Sequence, residues 1–65
     1  MHTNLVSVNS SAIRAIGYDG YTLTVLFDSG RIYDHPGVPS SVHAGLMLAS
    51  SKGSHYNRHI RGRYR

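Results

Sequence analysis

The stretch Tyr21-Thr-Leu-Thr-Val-Leu-Phe27, Asp28-Ser-Gly30, Arg31-Ile-Tyr-Asp-His35 decides the fold. Two β-prone runs separated by Asp28-Ser29-Gly30 read as an antiparallel hairpin, with Gly30 free to take the left-handed conformation that a three-residue loop with a bulge needs. Loop length sets the register. A two-residue turn would oppose Phe27 and Ile32, whereas the three-residue loop opposes Leu26 to Ile32, Val25 to Tyr33 and Leu23 to His35. The second register is favoured, because it gathers Leu23, Val25, Phe27 and Tyr33 on one surface and leaves most small polar residues on the other. That surface needs a cover from elsewhere in the chain.

Working outward, Ser10 to Tyr18 reads as a strand whose apolar phase slips. Ile13 and Ala15 alternate, and then Ile16 and Tyr18 do, so a bulge or bend is expected near Gly17. Asp19-Gly20 is a two-residue turn signal, with both residues expected at its centre. The three runs make a three-stranded antiparallel meander. Upstream, Met1 to Asn9 is weakly patterned, fit to dock on an edge or to fray. Downstream, Pro36-Gly37 ends the third strand, and Val38-Pro39-Ser40-Ser41 opens a helix with serines available as caps. Val42, Leu46 and Ala49 repeat at helical spacing, flanked by Met47 and Leu48, and make this helix the cover. Ser50 to Gly53 breaks it. A second short helix is expected over 54–61, capped by Ser54, with Tyr56, Ile60 and Tyr64 spaced four apart and Gly62 ending or loosening it.

The chain, read as one domain over 1–65, is an α+β fold too small for a large core; a domain of this size buries only roughly 60% of its unfolded surface. It has no cysteine, so neither disulfides nor thiolate metal sites reinforce it, and self-association is the expected supplement. No stretch resembles a signal peptide or a membrane span, and a cytoplasmic protein without a membrane partner is expected. Charge is placed unevenly. Residues 1–34 carry Arg14 and Arg31 against Asp19, Asp28 and Asp34, whereas 35–65 carry Lys52, Arg58, Arg61, Arg63 and Arg65 with no acid. An anionic partner follows from that asymmetry.

Candidate chemistry is sparse. His55 and His59 share a helical face at i and i+4, but two ligands without Cys or Glu fall short of the three or four that zinc needs, so no metal or cofactor is expected. Asp34 and His35 are adjacent in a strand and point to opposite faces, which excludes a catalytic pair. Asp19 and Asp28 belong to turns, and no phosphate loop is present, so an enzyme is not expected. The segment Lys52 to Arg65 is the candidate binding surface: Lys52, Arg58, Arg61, Arg63 and Arg65 provide phosphate contacts and Tyr64 a stacking face, while Tyr56 turns to the core. Tyr33, His35, His55 and His59 are possible accessory residues.

These residues carry a family resemblance. Val8-Asn-Ser-Ser-Ala-Ile13, Ala15-Ile-Gly-Tyr-Asp19, Leu23-Thr-Val-Leu-Phe27, Gly30-Arg-Ile-Tyr33, Gly37-Val-Pro39, Ala49-Ser-Ser51, Gly53 and Tyr56-Asn-Arg-His-Ile-Arg61 resemble the KTSC domain, a family named for the C-terminal domain of some lysyl-tRNA synthetases and found also in small bacterial and phage proteins. The resemblance implies the sheet-and-helix fold and an RNA-binding role. The chain departs from the family's central Tyr-x-Tyr at Tyr33-Asp-His35, which keeps a planar ring and adds a titrating group. The expected function is therefore non-enzymatic binding of RNA or another phosphate-bearing ligand. The rivals are an oligomer holding a nucleotide signal between subunits and a module binding an acidic protein, either of which a phage could use against its host.

Leu26 and Ile32 fall on the sheet face away from the helix, where a second copy would cover them. The chain is expected to sediment as a homodimer or higher oligomer at micromolar concentration, and a monomer throughout the accessible range would refute this.

Overall fold

The computed structural model describes residues 5–64. Within them the chain runs β1 (Val6–Ser7), β2 (Ile13–Tyr18), β3 (Leu23–Phe27), β4 (Ile32–His35), α1 (Ser40–Leu48) and α2 (Lys52–His59). The strands form one antiparallel sheet in sequence order. The expected meander is present, but the sheet has four strands rather than three. The fourth comes from the weakly patterned N-terminal stretch: Val6 pairs with Ile16 and Ser7 with Ala15. Two residues of pairing leave almost no periodicity to read, so only the adjacent β2 edge reveals this strand.

The β3–β4 hairpin has the register expected of a three-residue loop, with Leu23 opposite His35, Val25 opposite Tyr33 and Leu26 opposite Ile32. Gly30 has φ +96°, and its amide donates to the Phe27 carbonyl at 2.9 Å while the Phe27 amide donates to Arg31 at 2.8 Å. The β2–β3 turn differs from expectation by one position. Tyr18 pairs with Leu23, so the central residues are Gly20 and Tyr21 rather than Asp19 and Gly20. Gly20 alone takes a positive φ, +97°. Asp19 instead precedes the turn and caps it, its carboxylate accepting the amides of Tyr21 at 2.9 Å and Thr22 at 2.7 Å. Those two bonds hold the Asp19 carboxyl below its ordinary pKa.

The phase slip in β2 is resolved earlier than Gly17. The register shifts between Ile13 and Ala15, so Arg14 is the extra residue. A shift between Ile13 and Ile16 is required, because both enter the core and three positions of regular strand would place them on opposite faces. Gly17 simply pairs with Thr24. The strand also begins later than Ser10, because Ser10 Oγ accepts the amides of Ala12 and Ile13, each at 3.3 Å, and forms a local turn there.

The core consists of Ile13, Ile16, Leu23, Val25, Val38, Leu46, Tyr56 and Ile60. Its members show that both helices, not one, cover the sheet: Leu46 comes from α1, Tyr56 from α2 and Ile60 from the turn that follows. Helix α1 starts after Pro39, whose carbonyl accepts the amides of Val42 and His43 at 3.0 and 3.2 Å; no serine side chain caps it. Leu48, expected to flank the core, is 86% exposed. Helix α2 starts at Lys52, not at Ser54, with Ser51 as N-cap and again without a side-chain cap bond. Gly53 allows this early start to pack on the sheet, since a Cβ there would stand 3.1 Å from the Ala12 methyl. Gly62, at φ +79°, turns the chain beyond α2.

Leu46 is fully buried between sheet and helices. Leu46→Ala is therefore expected to cost roughly 2–5 kcal/mol, most of the stability of so small a domain; an unchanged denaturation midpoint would show that α1 does not pack as described.

Candidate nucleic-acid interface

Strand β4 places Tyr33 and His35 on the same face as Phe27, because alternate residues share a side and the register sets Tyr33 beside Val25. Helix α2 brings Tyr56 against that face, and the turn at Gly62 returns Tyr64 to it. The result is a continuous aromatic cluster. Phe27 meets Tyr33 edge-on at 5.6 Å and Tyr56 edge-on at 5.1 Å, and Tyr33 stacks over His35 at 6.5 Å. Edge-to-face pairs of this kind are worth about 0.5–1.5 kcal/mol beyond their buried area.

His35 is the buried centre of the cluster. Nδ1 lies 2.8 Å from the Tyr64 carbonyl and Nε2 lies 2.7 Å from the Tyr56 hydroxyl. Burial raises the Tyr56 pKa; the nearby Tyr33 adds to the rise and Arg61 opposes it. On the other face of β4, Asp34 accepts a 2.6 Å bond from the buried Thr24 hydroxyl. The acid and the base adjacent in sequence are thus engaged on opposite sides of the strand.

Above His35 opens a concavity of about 670 Å³. Its walls are the rings of Phe27, Tyr33, Tyr56 and Tyr64, and its polar groups include Arg31, Arg61 and Asn57. Arg31 donates to the Tyr33 hydroxyl at 3.4 Å. The site therefore combines exposed stacking faces with guanidinium groups, the two elements that hold a nucleobase and its phosphate.

The structure divides the residues singled out in the sequence. Arg61, Tyr64, Tyr33 and His35 line the concavity together. Arg58 and Arg63 are exposed outside it, and Arg65 lies outside the described residues. Lys52 is engaged locally, its Nζ donating to the Ala49 carbonyl at 3.0 Å at the end of α1. His55 and His59 face each other at 4.5 Å away from the concavity, and burial together with the charge of His59 lowers the His55 pKa. Sequence reading missed Arg31, Phe27 and Asn57. Arg31 was within reach, because it stands two residues before Tyr33 and so shares its side. Asn57 was not, since only the packing angle of α2 turns it toward β4.

Among the described residues no group of three or more metal-ligating side chains is assembled, and no helix is long and apolar enough to cross a membrane. Chelator is expected to leave the thermal transition unchanged, because binding energy at a structural metal site would be folding energy; melting in chelator would assign His55 and His59 a structural metal.

The KTSC domain family matches residues 9–64. The crystal structure of a KTSC domain protein from Yersinia pestis is similar over 95% of this chain and 90% of that one, with a TM-score of 0.91 and 34% identity. Lysine–tRNA ligases of Nostoc punctiforme and a Nostoc species are 40% and 38% identical over 63 residues. That alignment takes in 94% of this chain and 11% of each ligase, so the chain spans about a tenth of the length of these curated relatives.

Proposed function

This chain belongs to the KTSC domain family, and from that membership and its aromatic, arginine-bearing concavity we propose that it is a non-enzymatic module binding single-stranded RNA. One observation carries the reading. Tyr33, 43% exposed, and Tyr64 offer ring faces in the same depression that holds Arg31 and Arg61, so a splayed base can stack while its phosphate meets a guanidinium. Arg58 and Arg63, exposed on the same C-terminal segment, extend the positive surface along which a strand would continue. The ligases that contain a similar segment are named for tRNA, which agrees with an RNA ligand. Asp34 and His35 are engaged in internal hydrogen bonds, which supports the non-enzymatic reading.

The volume favours a second reading at the same place. About 670 Å³ falls within the roughly 300–1,000 Å³ of small-molecule sites, so a mononucleotide or nucleotide signal would fit. Ligand length separates the two readings, and an acidic protein partner is indicated if neither nucleic acid nor nucleotide binds.

Fluorescence anisotropy with single-stranded RNA, DNA and mononucleotides at several salt concentrations tests the proposal. Binding is expected to weaken with salt, with a log–log slope of about −0.7 per phosphate contact. Arg31→Ala and Arg61→Ala should each lower affinity for every sequence and flatten the slope by about that amount. Tyr33→Ala should cost ~1–3 kcal/mol with the slope unchanged. Tyr33 is the cleaner probe, because Tyr64 also packs against the core. Salt-insensitive binding, or binding indifferent to all three substitutions, would remove the concavity as the site.

A further inference from the structure

We propose that Asn57 reads the base in this concavity and makes the site prefer adenine; the inference rests on the binding function proposed above. An inventory of the polar side chains in the wall leads to it. The two nitrogens of His35 and the Tyr56 hydroxyl are spent on one another and on the Tyr64 carbonyl. Asp34, the one carboxylate among the described residues of the wall, accepts from the Thr24 hydroxyl. Arg31 donates to the Tyr33 hydroxyl and so steadies the stacking ring. Asn57 is exposed, and among the described residues its amide has no hydrogen-bond partner. It is also the one side-chain amide among them in the wall. An amide fixes a donor and an acceptor side by side in a plane, whereas the hydroxyls of Ser29 and Tyr64 turn their hydrogens to serve either role.

The neighbours of Asn57 decide which edge of a base it meets. The Ile60 and Arg61 amides both donate to the Tyr56 carbonyl at 2.9 Å, so the chain keeps turning beyond α2. Arg61 therefore stands one turn past Asn57 on the same wall. Tyr33 supplies the β4 side. A base stacked on Tyr33 with its 5′-phosphate on the Arg61 guanidinium turns toward Asn57 the edge nearest that phosphate. In the ordinary anti nucleotide this is the major-groove edge, because the phosphate lies on the N7 side of a purine and the C5 side of a pyrimidine. The bases differ there. Adenine sets its N6 donor beside its N7 acceptor, and the Asn57 amide meets both: Oδ1 accepts from N6 and Nδ2 donates to N7. Guanine sets two acceptors, O6 and N7, so Oδ1 would face the lone pairs of an oxygen. Cytosine offers the N4 donor alone and uracil the O4 acceptor alone. Adenine is the base that uses the whole amide.

The test is fluorescence anisotropy of the intact chain with oligouridylates of one length that carry adenine, guanine, cytosine or 7-deazaadenine at a single central position. The adenine strand should bind at least about fivefold tighter than the guanine strand, the low end of the discrimination of one bidentate base contact. 7-Deazaadenine keeps N6 and the ring size but has carbon in place of N7, and it should lose most of that advantage. In Asn57→Ala the adenine and 7-deazaadenine strands should bind alike, with the salt slope of the parent, because no phosphate contact is removed. Alanine suits this exposed helical position, and the 7-deazaadenine comparison in the parent chain does not depend on the variant. Equal affinity for the adenine and guanine strands, full binding of the 7-deazaadenine strand, or an adenine preference that survives Asn57→Ala would overturn the proposal. Strands that bind without distinction yet respond to Arg31→Ala and Tyr33→Ala would uphold the RNA reading and sink the base preference. If no strand binds, the RNA reading falls by itself, and the 5′-monophosphates of adenosine and guanosine decide the base preference at the same concavity. Tighter binding of the adenosine nucleotide, with the difference lost in Asn57→Ala, upholds it; equal or absent binding of both overturns it.

Discussion

The register of the β3–β4 hairpin is the constraint on which everything else depends. A three-residue loop ending in the left-handed Gly30 opposes Val25 to Tyr33 and Leu23 to His35. Side chains alternate with period two, so a slip of one residue would send Leu23, Val25 and Phe27 to the face without helices. The same slip would scatter Tyr33 and His35 from Tyr56. Core and candidate site are two ends of a single sheet face, fixed by one turn.

A second constraint lies in β2. Ile13 and Ile16 are both fully buried although they stand three positions apart, a spacing that puts regular strand residues on opposite faces, and the extra residue Arg14 reconciles them. The bulged arginine is left at the surface, where it donates to the Asp28 carbonyl at 3.1 Å and lies 3.7 Å from that residue's carboxylate. Exposed pairs of this sort contribute little. The effect of the bulge is geometric: it brings Ile13 opposite Phe27 and extends the apolar floor to the site's edge.

The site borrows its rigidity from the core. Tyr56 and Ile60 are core residues, and the residues between and after them supply Asn57, Arg61 and Tyr64. His35 completes the arrangement by bonding to both Tyr56 and Tyr64, so the C-terminal turn is tied to β4 rather than resting on it. Two helices pack over the sheet for the same reason. The close approach at Gly53 permits α2 to begin beside Ala12, which leaves its far end over β4.

The sequence by itself determined whatever short-range rules control. The hairpin register followed from loop length and Gly30, the helical cover from the spacing of Val42 and Leu46, the inward place of Tyr56 from its spacing with Ile60, and the family from its motifs. Local rules also located the cationic segment, though not which of its members converge. Tertiary structure decided the rest. Edge pairing made a strand of Val6–Ser7, a pattern too short to read. The need to bury both isoleucines put the bulge at Arg14 instead of Gly17, and the Asp19 carboxylate, by binding two amides, moved the turn one residue onward. Above all, Arg31 and Asn57 joined Arg61 and Tyr64 only through the packing of α2 against β4. Residues more than twenty positions apart meet there because a buried histidine bonds to both sides, a relation no local pattern encodes.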